Sequence, residues 1–279
     1  MYNFARQTLK LILSVLFSGF ILYLILNDLK DITTNTWKYF DWFSDFLIGD
    51  FGMSPNSDKI IVFTATDLIG KIEIGSNYYH TVSITLFSIS TVFIISFILN
   101  SLEIVMQTKK VKWIKTTIEW FSSIHIIILG IGLFLFFRED IPVIVGIIMI
   151  AICSNAFYDL SALQFSNLST LYNKDFVIAA RAWGDSIWKH MRRSIMIDSI
   201  NQFTSIWTII FTNTLIYEII CQKPGLGYLL YTHFLEGDRS NYLFEHDLFM
   251  TLIMFIIITI FLLNYFRDLL LEYLVYIRR

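Results

Sequence analysis

The sequence predicts an all-α polytopic membrane protein with six transmembrane helices and cytoplasmic termini, and three observations carry that prediction. Hydrophobic residues make up 56% of the 279 and charged residues 16%, with a mean hydropathy of +0.62, whereas a soluble domain runs near a quarter charged. Six stretches of 17 to 22 residues hold no Asp, Glu, Lys or Arg, and a bilayer core of roughly 30 Å takes about 20 helical residues. Lys and Arg then divide 14 to 7 between alternate sides of those stretches. The richer side carries the shorter loops and is the cytoplasmic one.

The stretches are residues 11–27, 81–102, 121–137, 141–158, 199–217 and 248–266. None alternates as a barrel strand does, and lipid leaves no unpaired backbone, so each is expected to be helical. The first follows Arg6 and Lys10 as a signal peptide would, but Leu24-Ile25-Leu26-Asn27 offers no small-residue cleavage site, so residues 1–27 read as a retained anchor. Residues 28–80 form a long extracytoplasmic segment with a β-branched and aromatic stretch at 60–66. Such a segment docks a binding protein, caps a pore mouth or packs on itself. Residues 81–279 make a five-helix core. The basic cluster at 109–115 reads as a topology determinant resting on anionic lipid, and one substantial cytoplasmic loop is expected over about 161–198.

Other classes fall away on composition. With 12 Gly and 3 Pro against 26 Phe and 14 Tyr the chain is not low-complexity. A net charge of −2 gives no field for nucleic acid. Cys153 and Cys221 lie in apolar stretches without CxxC or Cys/His spacing, so neither a disulfide framework nor a metal site is expected. The signatures GxxxxGK[ST], GxSxG and HExxH are absent, so the chain is not expected to be an enzyme or to bind a cofactor.

Two segments carry the functional information. In the cytoplasmic loop Phe176, Ala179, Ala180, Arg181 and Ala182 run into Trp183-Gly184-Asp185-Ser186. Small residues followed by Gly let a short helix end sharply and lie close to another surface, either as a docking device or as an interfacial helix anchored by Trp183 and Trp188. In the fifth span Asp198, Asn201, Ser205, Thr208 and Thr212 follow at spacings of 3, 4, 3 and 4, which puts them on one helical face. That face lines a wet solute path or bonds a neighbouring helix. His125 reads as a packed, hydrogen-bonded residue rather than a proton relay.

The stretch Phe176-Val177 with Ala180-Arg181-Ala182-Trp183-Gly184-Asp185-Ser186 resembles the loop of bacterial ABC-importer permeases of the oligopeptide, dipeptide and nickel branch, whose pattern is roughly Tyr-Val-x-x-Ala-Arg-Ala-x-Gly-x-Ser. Outside, Gly49-Asp50-Phe51-Gly52-Met53-Ser54 is similar to the family's Gly-Asp-Leu-Gly-x-Ser. After the fifth span, Glu218 with Pro224-Gly225-Leu226-Gly227 is similar to its Glu and Pro-Gly-Leu-Gly, a turn expected to reverse the chain. Asp238-Arg239-Ser240-Asn241-Tyr242, and Asn264 with Asp268, resemble further family elements more loosely. The resemblance covers about residues 39–270. It departs where the family has Pro-Gly-Asp-Pro after the first span, Lys for Trp183, Arg-His for Arg193-Ser194 and Asp-Pro-Arg for Val275-Tyr276-Ile277.

The resemblance implies half of a translocation path in the bacterial cytoplasmic membrane. A second homologous permease would supply the other half. Two cytosolic ATPases would bind the ATP and magnesium, and an extracytoplasmic solute-binding protein would deliver the cargo. The loop at 179–186 would be the coupling helix, and enlarging Gly184 would uncouple it. Short peptides are the first expected solute and nickel or a metal–chelate complex the second. A different class, the ATP-independent channel or secondary transporter, would be marked by inverted repeats with broken helices, which the two halves of the sequence do not suggest.

Overall fold

A computed structural model describes residues 2–26, 32–54, 59–64, 71–137, 141–153, 155–235 and 246–276. The chain divides into two units. The first holds Met1–Thr81 with Pro224–Leu269, and the second Val82–Lys223 with Leu270–Arg279.

In the first unit α1 (Tyr2–Leu26) is followed by α2 (Ile32–Ile48), three short strands, the start of α3 (Gly75–Met106), and later α10 (Leu226–Leu235) and most of α11 (His246–Tyr276). Helix α2 falls inside the outer segment, where no helix is expected. Tyr39, Trp42, Phe43 and Phe46, spaced 3, 1 and 3 apart, give it one aromatic face. Tyr39 is 1% exposed, packs tilted against Tyr23 of α1 with ring centroids 5.6 Å apart, and donates its hydroxyl to the Leu16 carbonyl at 2.9 Å. Gly19 makes room for this, since a Cβ there would meet the Tyr39 oxygen and the Met254 sulfur at 2.8 Å. Strands β1 (Met53–Ser54), β2 (Lys59–Val62) and β3 (Lys71–Glu73) form one sheet, antiparallel then parallel, with Ile61 opposite Ile72. The strand expected at 60–66 is thus realised at its first residues.

In the second unit α3 is joined by α4 (Lys109–Ser122), α5 (Ile126–Phe137), α6 (Val143–Ile152), α7 (Ala156–Tyr172), α8 (Asp175–Ala182) and α9 (Ile187–Ile220). The expected loop over 161–198 is mostly helix. No Gly or Pro occurs from 147 to 183 or from 185 to 223, so α7 runs on through Tyr172 and α9 starts at Ile187. Only residues 173–186 remain between them, and α8 occupies most of that interval.

The third and fourth apolar stretches are not straight spans. Helix α4 meets α5 at 90°, and α6 meets α7 at 58°. At roughly 1.5 Å per residue, α5 and α6 are only about 18 and 15 Å long. The two breaks face each other: the Asn155 N–H donates to the Ser122 carbonyl at 2.7 Å, and the Tyr158 N–H donates to Ser122 Oγ at 3.4 Å. Backbone groups freed by one break are satisfied by the other, which low-dielectric surroundings require. Asn155 takes the left-handed conformation, φ 61°, which Asn tolerates better than most residues. His125 is therefore not mid-helix. It caps α5, its Nδ1 accepting the Ile127 N–H at 3.3 Å.

Among the described residues, α1, α3, α9 and α11 are long and apolar enough to cross a membrane, and the count reaches six if each bent pair is one span.

Two glycines bring the short helices against α9. Gly130 of α5 faces Ile220, and a Cβ on Gly146 of α6 would lie 2.4 Å from the Tyr217 oxygen. Tyr217 is 2% exposed and cannot swing aside. Gly146→Val is therefore expected to destabilise the unit by about 1–3 kcal/mol through overpacking, read as a lower midpoint of thermal unfolding in detergent. An unchanged midpoint would mean that α6 and α9 do not approach this closely.

Candidate functional site

Helix α8 is eight residues long, and its sequence accounts for its ends. Val177 and Ala180 turn inward, and Val177 packs with Leu168, Leu171 and Met191. Phe176, Ile178, Ala179, Arg181 and Ala182 are exposed, as are Trp183, Gly184, Asp185 and Ser186 beyond the helix. At the C-terminus the Asp185 N–H donates to the Ala180 carbonyl at 2.9 Å, and the Gly184 N–H donates to the Arg181 carbonyl at 3.2 Å. This pair of bonds is a Schellman closure, which places its central residue in the left-handed region. That residue is Gly184, at φ +75°.

The turn is held from both sides. Arg181 lies over the Tyr172 ring, 4.3 Å from its centroid, and donates to the Tyr172 carbonyl at 3.2 Å. Asp185 accepts the Ser186 N–H through Oδ1 at 2.8 Å and pairs with His190 Nε2 through Oδ2 at 2.8 Å. The His190 hydrogen bond, with that from Ser186, holds the Asp185 carboxyl below its usual range. Ser186 occupies the N-cap of α9 without a side-chain cap bond. The result is a rigid, short helix whose outward surface carries Phe176, Ile178 and Trp183, the last 86% exposed.

Of the seven residues expected to form the coupling surface, Ala180 is the one turned inward.

Helix α9 has two faces. Asn201, Ser205, Thr208 and Thr212 are exposed along one side. Three of them donate their hydroxyls back to the helix: Ser205 to the Gln202 carbonyl at 3.0 Å, Thr208 to Thr204 at 3.2 Å and Thr212 to Thr208 at 2.9 Å. Along the other side Gln202, Ile206, Trp207, Ile210, Asn213, Thr214 and Tyr217 are buried, and Thr85 of α3 donates to Thr214 at 3.2 Å. The predicted polar face therefore turns away from the unit's interior, and a different polar face bonds the neighbouring helix.

The outer motifs are chain-direction devices. Gly49, φ +91°, closes α2 through Asp50 N–H to Asp45 carbonyl at 2.9 Å and Gly49 N–H to Phe46 carbonyl at 3.1 Å. Asp50 Oδ1 accepts the Gly52 N–H at 3.1 Å, and Gly52, φ +82°, leads into β1. Glu218 is buried, and its carbonyl accepts the Lys223 N–H at 3.0 Å. The positive φ there belongs to Gln222, at 49°, rather than to Gly225 or Gly227. Pro224-Gly225-Leu226-Gly227 opens α10 instead, its Leu226 N–H capped by Thr81 Oγ1 at 2.9 Å. Asn264 and Asp268 line a 180 Å³ cleft with Gln7, Lys10 and Ser14. The stretch 238–242 lies outside the described residues.

Two polar constellations escape the sequence reading. Ser96 donates to Gln164 Oε1 at 2.8 Å, Asn100 Nδ2 donates to the Ser161 carbonyl at 3.0 Å, and Ser161 Oγ donates to Asn100 Oδ1 at 3.3 Å, all buried between α3 and α7. Lys115, 8% exposed, pairs with Glu103 at 2.9 Å and sits 4.3 Å over the Phe165 ring. The i, i+4 pair Ser96 and Asn100 and the i, i+3 pair Ser161 and Gln164 were visible as faces, but nothing local identifies their partners. Lys115 is thus an internal ion-pair partner, while the other lysines of its cluster remain exposed.

Compared with known protein families and with the curated proteins, the sequence matches no family model and no curated relative.

Proposed function

We propose that this chain is the permease subunit of an ATP-driven importer, forming half of a translocation path in the bacterial cytoplasmic membrane, with α8 as the element that seats on a cytosolic ATPase. The observation that carries the reading is α8 itself: a short helix with a closed Schellman end, standing between two long helices and presenting Phe176, Ile178 and Trp183 to solvent. Exposed aromatic and aliphatic side chains on a rigid support are what a protein-binding anchor requires. ATP-driven closure of two ATPases would draw two such helices together and rock the membrane helices as rigid bodies.

The exposed stripe of Asn201, Ser205, Thr208 and Thr212 supports a shared path. Polar side chains running the depth of a membrane helix face a partner or water rather than lipid, and a second homologous permease would provide the facing wall. Six spans are supported by the contacts of Gly146 with Tyr217 and Gly130 with Ile220. These bring the α5–α6 hairpin level with the end of α9 farthest from α8. By the sequence resemblance, the solute is a short peptide delivered by an extracytoplasmic binding protein, with nickel or a metal–chelate complex the alternative.

One observation favours a second reading. The facing breaks at Ser122 and Asn155 resemble the discontinuous helices on which secondary transporters build their sites. Affinity purification of the chain from its native membrane in mild detergent, with partners identified by mass spectrometry, separates the two. The permease reading expects a second permease and an ATPase to be recovered with it. Recovery of the chain alone, or as a homo-oligomer, would favour the secondary transporter.

A further inference from the structure

Asp198 opens the polar stripe of α9 but does not follow it outward. With Ser199 and Gln202 of the same helix, and Gln164 and Asn167 of α7, it lines a small cavity in the second unit. The spacing accounts for this, since 198 and 202 stand one turn apart on α9 and 164 and 167 share a face of α7. Apolar side chains from α3, α7 and α9 close the remainder. The cavity volume is about 10 Å³, room for one particle the size of a water molecule.

The polar groups here are acceptors in excess. Asp198 is partly buried and forms no hydrogen bond or ion pair among the described residues. The exposed Lys174 acts on its charge from beyond ion-pair distance. Gln202 is 8% exposed, and its Oε1 is buried without a hydrogen-bond partner among the described residues. Gln164 Oε1 accepts from Ser96 at 2.8 Å and keeps a second lone pair. A carboxylate and an amide oxygen withdrawn from water without partners each cost free energy. A water molecule would satisfy their lone pairs and leave the charge of Asp198 uncompensated, whereas a cation does both.

The donor set also fixes the charge of that cation. One carboxylate among neutral oxygens balances a single positive charge. Calcium takes six to eight oxygen ligands, and among the described residues no three of His, Cys, Asp and Glu are grouped to hold a metal ion.

We propose that this cavity binds a monovalent cation of the size of sodium, held by the Asp198 carboxylate and Gln202 Oε1, with Ser199, Asn167 and Gln164 supplying neutral oxygens. Bound there, the ion ties α7 to α9, the two helices between which α8 is held. Leu168 and Leu171, which also line the cavity, pack with Val177 of α8. The proposal rests on the second unit alone and is independent of the permease reading.

The test is the thermal unfolding midpoint of the purified chain in neutral detergent, in sodium chloride and in choline chloride at equal ionic strength, with binding of radiolabelled sodium measured on the same samples. The midpoint is expected to rise with sodium and not with choline, because an ion that binds only the folded state stabilises it by mass action. Asp198→Asn is expected to abolish the sodium response. Gln202→Leu is expected to weaken sodium binding about tenfold or more, the size of losing one contact to a charged group. Asp159→Asn, exposed on α7 and outside the cavity lining, is expected to leave binding within about twofold, as for a screened surface charge. A midpoint indifferent to sodium, with no sodium bound, would make this a water site and overturn the proposal. An equal rise in sodium and choline, or a sodium response that survives Asp198→Asn, would overturn it as well.

Discussion

On the permease reading, Gly184→Trp is expected to weaken coupling between ATP hydrolysis and transport by roughly thirty-fold while leaving the chain folded. At φ +75° a residue with a Cβ pays about 1–2 kcal/mol, yet a Cβ on Gly184 would meet nothing within 4 Å. The cost is thus confined to the turn, and the added indole projects into open space next to Trp183 in the chain. Blocking a protein-binding anchor typically removes 2 kcal/mol or more of binding, so coupled ATP hydrolysis should fall by roughly thirty-fold. Gly184→Ala separates the two effects, since it shares the backbone strain without the bulk. It should retain most of the coupled rate. If both variants lose activity equally, the conformation of the turn matters and the surface beyond it does not.

Lys115→Met carries the largest expected loss of stability. Lys115 Nζ stands 2.9 Å from Glu103 Oε2 and 4.0 Å from Glu119 Oε1, with the Lys115 and Glu103 side chains 10% and 17% exposed. Removing one partner of a buried pair leaves a charge without compensation and costs about 3–5 kcal/mol. The residual exposure places this pair near the lower figure. A loss of about 3 kcal/mol in a chain of this size lowers the unfolding midpoint by roughly 10 °C. The double variant Lys115→Met/Glu103→Gln should recover much of that loss, because it removes the stranded charge as well. A single variant as stable as the wild type would mean that water reaches Glu103 freely.

The legible and illegible parts of this fold divide by the range of the interactions that make them. The apolar stretches at 11–27, 81–102, 199–217 and 248–266 became α1, α3, α9 and α11, because burial in an apolar medium acts on each stretch locally. The length of α9 was also readable, since no Gly or Pro interrupts residues 185–223. The breaks in the other two stretches were not. They exist because Ser122 and Asn155, 33 positions apart, satisfy each other's backbone, and no local residue marks such an exchange.

The candidate site divides in the same way. The end of α8 followed from Gly184, whose freedom at positive φ is a property of the residue itself. The polar stripe of α9 followed from helical spacing. The identity of the face that packs inward did not, because Thr214 is buried by its bond to Thr85, across 129 residues. Helix α2 lay in between: the spacing of Tyr39, Trp42, Phe43 and Phe46 was helical, but its partner Tyr23 and the opening at Gly19 appear only in the folded chain.

The most direct test of the account is solute uptake into vesicles containing the complex purified with this chain, measured with ATP present and with ATP withheld. The account predicts uptake of a short peptide, or of a metal chelate, that stops when ATP is withheld and is lost in Gly184→Trp. Uptake that continues without ATP and is indifferent to Gly184 would contradict it and would direct attention to the facing breaks at Ser122 and Asn155.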